Sequence, residues 1–188
     1  MKGGYIVVRR YLQGFSIFDL MVITILAALG VAVSGIVGYL VRIVTSMLFI
    51  PGGAVAGGIY MLFLVLSTAL TGKRSAAFLC AIVQALIVVA MPFAGSHGAM
   101  TLITYTMPGL SVLVLLTLMR HNGCCRLCCF FAGMVANLTG VALVSGLVMA
   151  LPMIPMMLGL TLGALSGGLG GLLTWVLADK IKAMGVMK

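Results

Sequence analysis

The sequence predicts an all-α membrane protein: a bundle of six transmembrane helices, both termini cytoplasmic, with an irregular outer segment between helices 1 and 2. Three observations predict it. The first is composition: of 188 residues, 63% are hydrophobic and 7% charged, with a mean hydropathy of +1.33. Soluble domains run at about 45–50% apolar and about 25% charged, so a water-facing surface could not be built from this inventory. The second is the length of the apolar runs, which match the roughly 20 residues a helix needs to cross the hydrocarbon. The third is the placement of charge. The segments are apolar all round, which excludes an outer-membrane barrel, whose strands alternate apolar and polar.

Read between polar breaks, the spans fall at 17–40, 54–71, 76–93, 100–119, 127–150 and 156–178. Residues 1–16 form a cytoplasmic tail before them and 179–188 another after them, and the whole of 1–188 is a single integral membrane domain. Residues 41–53 are apolar but broken at Pro51-Gly52-Gly53. They read as an outer loop or re-entrant piece, tolerated at membrane depth only where protein or a cavity buries it. The first apolar run also follows a basic tail and contains Ala32-Val33-Ser34, a small-residue cleavage pattern. It is longer than a signal core and continues past that point, which favours a retained helix.

Eleven basic residues face two acidic ones, for a net charge of +9. In a soluble chain that would suggest nucleic acid, but here position matters more than sum. Lys2, Arg9 and Arg10 precede the first span; Lys73 and Arg74 join the second to the third; Arg120 and Arg126 join the fourth to the fifth; Lys180, Lys182 and Lys188 follow the last. With six spans these segments share one side, which the positive-inside rule makes cytoplasmic. Nucleic acid is therefore not an expected partner, whereas the lipid bilayer is. Arg42 alone falls at the outer end.

The acids also exclude functions. Asp19 stands where it can cap the first helix or face its positive dipole end, and Asp179 follows the last span. No carboxylate is left inside the membrane, where proton- and sodium-coupled carriers carry or compensate charge. No phosphate-binding loop is present either. The chain is expected to have no enzymatic activity of its own, and any uphill transport must be driven by a partner.

Small residues mark two helices. Gly159, Gly163, Gly167 and Gly171 recur every four residues in the last span, with Ala164 and Gly168 beside them. The first span has Ala28 and Ala32 in AxxxA spacing, and Gly30, Ser34 and Gly38 on a neighbouring stripe. Such faces let helices approach closely in lipid. In the last helix this reads as packing within the bundle; in the first, docking on a separate membrane subunit competes with it.

On these features the chain resembles the substrate-binding S components of energy-coupling factor (ECF) transporters, a type of ABC transporter. The resemblance rests on size, six spans with both ends inside, AxxxA at Ala28 and Ala32, the irregular Ile50-Pro51-Gly52-Gly53, and Gly163-Ala164-Leu165-Ser166-Gly167-Gly168 in the last helix. It implies a protein of a bacterial cytoplasmic membrane that captures a vitamin, cofactor or cofactor precursor near the outer face. It implies as partners a transmembrane coupling protein, contacted through Ala28 and Ala32, and two cytoplasmic ATPase subunits that use ATP. The S component topples in the membrane to deliver its load. The N-terminal histidine pattern of the nickel and cobalt members is missing, which disfavours a metal substrate. Competing readings are a structural or regulatory membrane protein that transports nothing, and a small secondary carrier.

Polar residues in the spans become candidate ligands for substrate, since each must find a partner in hydrocarbon. Gln84 and Asn137 lie mid-span and offer amide donors and an acceptor; Thr104, Tyr105 and Thr106 lie in the outer half of the fourth span. Each could instead make an interhelical hydrogen bond. Arg42 could pair with a carboxylate or phosphate, or snorkel to lipid phosphates. His97, in the third outer connection, could cap a pocket or, with Met100, ligate a haem-type iron; no intrinsic cofactor is expected. Tyr60 and Trp175 read as interfacial or packing aromatics. Cys124, Cys125, Cys128 and Cys129, with His121 before them, read as reduced cytoplasmic thiols, although CxxC spacing permits a metal. No metal site is assigned.

Overall fold

The computed structural model describes residues 14–45, 52–91, 100–122 and 125–185. Among them are six helices: α1 (Ile17–Thr45), α2 (Gly52–Thr71), α3 (Ala76–Ala90), α4 (Met100–Leu118), α5 (Arg126–Leu143) and α6 (Met153–Ala183). Five are long and apolar enough to span a membrane; α3, an apolar helix of 15 residues, is shorter. At 1.5 Å per residue α3 covers about 22 Å, less than the hydrocarbon core. The predicted third span ran on to residue 93, but the helix ends at Ala90, with the backbone of Met91 turning extended.

The expected outer loop at 41–53 is partly corrected. α1 continues through Thr45 and α2 begins at Gly52, because 41–45 holds no glycine or proline to break the helix. Residues 46–51 lie outside the described residues.

The helix ends explain the charge pattern. Asp19 in the first turn of α1 accepts from the Ser16 N–H at 2.9 Å and from Lys73 Nζ at 2.6 Å. Lys73 also donates to the Gly14 carbonyl and sits 4.7 Å over the Phe15 ring. Arg74 Nε donates to Asn122 Oδ1 at 2.7 Å, and Arg126 lies 5.7 Å over Trp175 near the end of α6. These contacts gather the start of α1, the α2–α3 turn, the α4–α5 connection and the end of α6 at one end of the bundle. We call it the basic end.

α2 is the most buried of the five long helices and packs against α1, α3, α5 and α6. α6 seats its glycines on two neighbours. A methyl group at Gly167 would strike the Gly133 carbonyl, and one at Gly171 the Cys129 carbonyl, both on α5. One at Gly170 would strike the Gly58 carbonyl on α2. The backbones thus touch directly, so the stripe in the last helix serves packing inside the bundle. Asn137 reinforces this seam: Nδ2 donates to the carbonyls of Gly163 at 2.8 Å and Ala54 at 3.4 Å.

Candidate functional site

The polar stripe on α1 organises the half of the bundle away from the basic end. Gly30, Ser34 and Gly38 recur at four-residue spacing and extend over about 12 Å. Gln84 of α3 reaches the first of them: a methyl group at Gly30 would collide with Gln84 Nε2. The Tyr105 hydroxyl of α4 comes close to Ser34, whose own hydroxyl donates to the Val31 carbonyl at 2.7 Å. The Tyr60 hydroxyl of α2 faces Gly38, 2.8 Å from where a Cβ would stand. Side chains from three helices therefore converge on one face of a fourth, and only residues as small as glycine and serine leave room for them.

The start of α4 carries further buried hydroxyls. Thr101 and Thr104 are buried, and the Thr104 hydroxyl donates to the Thr101 carbonyl at 3.3 Å. The Thr101 hydroxyl has no hydrogen-bond partner. Pro108, inside α4, lacks the N–H that would bond to the Thr104 carbonyl. At the same end of the bundle α5 loosens into a π-turn at Val144–Val148, a feature frequent at functional sites, where the buried Ser145 hydroxyl is also unpartnered. Thr68, the third such hydroxyl among the described residues, lies toward the basic end of α2. Unpartnered hydroxyls are costly in an apolar interior.

The sequence-predicted candidates divide accordingly. Gln84 and Tyr105 meet on the α1 stripe. Asn137 is elsewhere: it is 1% exposed and holds α5 to α2 and α6. Arg42 falls on the last turns of α1, but its side chain, like the whole of His97, lies outside the described residues. Ala28 and Ala32 are exposed, along with Thr24, Ile25, Leu29, Gly35 and Ile36. Tyr60 was missed, because a lone aromatic in a span reads equally well as an interfacial anchor or as packing. Its place opposite Gly38 emerges only from the pairing of α1 with α2.

A separate groove of about 390 Å³ runs between α2 and α6, lined by Val55, Ile59, Leu162, Leu169 and other apolar groups. Its one hydroxyl, on Ser166, donates to the Val55 carbonyl at 2.5 Å and accepts from the Gly58 N–H at 3.0 Å. The groove presents no unspent polar chemistry, in contrast to the α1 stripe.

At the basic end, Cys125 and Cys128 are joined as a disulfide across the first turn of α5, where separate reduced thiols were expected. The CxxC turn brings the two sulfurs face to face. Cys80 and Cys129 are buried, and Cys124 lies outside the described residues.

Comparison with known proteins agrees with this architecture. A crystal structure of an S component of an ECF transporter superposes with a TM-score of 0.78 over 92% of this chain and 88% of that one, at 17% identity. No curated protein is a significant sequence match. The profile of a family described as "ABC-type cobalt transport system, permease component" matches residues 18–139. The chain thus belongs to that permease family, is a multi-pass membrane protein, and has the fold of an ECF-transporter S component.

Proposed function

We propose that this chain is the substrate-binding subunit of an ECF transporter, capturing a small organic molecule at the α1 stripe. The observation that carries the reading is the convergence of Gln84, Tyr105 and Tyr60 on Gly30, Ser34 and Gly38 in an otherwise apolar bundle. The family description names cobalt. The donors at the stripe are an amide, phenols and aliphatic hydroxyls, whereas transition metals select imidazole and thiolate. These groups suit a heterocyclic or amide-bearing vitamin, cofactor or precursor.

By the positive-inside rule the basic end faces the cytoplasm, so the stripe opens toward the outside. The exposed Ala28 and Ala32 face supports docking on a transmembrane coupling protein. Two cytoplasmic ATPases then supply the energy, since no group in the described spans does so.

Native mass spectrometry of the purified chain tests capture directly: a retained organic molecule is expected. Gln84→Leu and Tyr105→Phe should each weaken it by about 0.5–1.5 kcal/mol, the net value of one hydrogen bond. Absence of any retained molecule, together with failure to co-purify ATPases, overturns the proposal in favour of a non-transporting membrane protein.

A further inference from the structure

The α4–α5 connection at the basic end holds a cluster that substrate capture does not use. After Leu118, Arg120 adopts a positive φ of 55°, the left-handed position that glycine usually takes where a helix ends. The His121 N–H then bonds to the Leu116 carbonyl and the Arg120 N–H to the Thr117 carbonyl, each at 3.2 Å. This paired closure reverses the chain toward α5. There Cys125 is the N-cap, its Sγ accepting from the Cys128 N–H at 3.2 Å. The Cα atoms of Cys125 and Cys128 are 5.2 Å apart. The ligand atoms of His121, Cys125 and Cys128 all lie within 4.8 Å of one another.

We propose that His121, Cys125 and Cys128 form a binding site for a thiophilic divalent transition-metal ion of the zinc class. A tetrahedral ion with bonds of about 2.3 Å to sulfur and about 2.0 Å to imidazole nitrogen bridges donors at this separation. The set grades from exposed His121 through half-buried Cys125 to buried Cys128. An ion can therefore enter from the aqueous side, and its fourth position is left to water. The positive end of α5 is a favourable place for thiolate. On the cytoplasmic side, thiols are held reduced, so the dithiol is the form that meets the ion, and binding displaces the thiol protons. The disulfide and the ion compete for the same two sulfurs. Occupied, the site clamps the end of α4 to the start of α5, in a connection already pinned by Arg74 on Asn122 and Arg126 over Trp175. It lies at the opposite end of the bundle from the α1 stripe and does not depend on what is transported there.

The test is a titration of the full chain, reduced and kept in lipid nanodiscs, with Co²⁺ as a spectroscopic probe and then with Zn²⁺. One equivalent of Co²⁺ should produce a sulfur-to-metal charge-transfer band that Zn²⁺ abolishes. Cys125→Ser and Cys128→Ser should lose the band, and His121→Ala should weaken binding. In the unmutated protein, Zn²⁺ should protect Cys125 from alkylation, mapped by peptide mass spectrometry, which keeps the test independent of how the variants fold. No band, unchanged alkylation, a band of equal strength in Cys128→Ser, or a disulfide that survives excess reductant would each overturn the proposal.

Discussion

Two helices carry small residues at four-residue spacing, and the fold uses them in opposite ways. On α6, Gly163, Gly167, Gly170 and Gly171 are buried, and the added methyls considered at Gly167, Gly170 and Gly171 would each meet a neighbour's backbone. On α1, Ala28 and Ala32 are exposed, and a methyl group at Gly35 would meet nothing within 4 Å. The same helix turns its other small stripe, Gly30, Ser34 and Gly38, inward to side chains instead of backbone. Small residues in lipid therefore mean close approach, and only the fold says whether the approaching group is a helix of the same chain, a polar side chain, or a helix of another protein.

Substitutions can break this comparison. The largest effect is expected at Gly171→Leu. A branched side chain there must push α5 away from α6, and overpacking of a tight interior costs about 1–3 kcal/mol or more. Loss of monodisperse protein, or a lowered Tm in detergent, checks it. Ala32→Leu is the counterpart: the stability of the isolated chain should change by no more than about 0.5 kcal/mol, while recovery of the coupling protein in a pull-down should fall sharply. Equal destabilisation by the two changes would erase the distinction. Asn137→Ala should be intermediate, lowering stability by about 1–2 kcal/mol through the α2–α5–α6 seam. Substrate affinity should move far less in that variant than in Gln84→Leu, which separates a helix staple from a ligand. A modest effect on stability is expected for Asp19→Asn. Its pair with Lys73 is partly exposed, so about 0.5–1 kcal/mol is expected, shrinking as salt is added.

Much of the fold was legible because lipid imposes simple rules. Span positions follow from apolar run length, and the clustering of Lys73, Arg74 and Arg126 near the other chain ends follows from the alternation of charge. The short α3 was missed because apolar run length passes over Pro92, which biases the preceding Met91 away from helical backbone and ends the helix at Ala90. The site was half legible. Gln84 and Tyr105 stood out as polar residues in hydrocarbon, but so did Asn137, and composition cannot tell an amide that faces the α1 stripe from one that meets two carbonyls. The approach of His121 to Cys125 and Cys128 depends on Arg120 turning left-handed, a conformation that an arginine does not advertise.

The 15 residues of α3 carry a further consequence. Its outward Leu86 and Val89 are exposed, and the helix itself is roughly 8 Å shorter than a full hydrocarbon core. Acyl chains must shorten or disorder along that edge, at fractions of a kcal/mol per ångström. Thin bilayers would relieve this stress and thick ones would raise it, giving the protein a preferred membrane thickness and a preferred tilt. Reconstitution in lipids of graded chain length should therefore reveal an optimum set by a helix that carries no polar chemistry on its outer face.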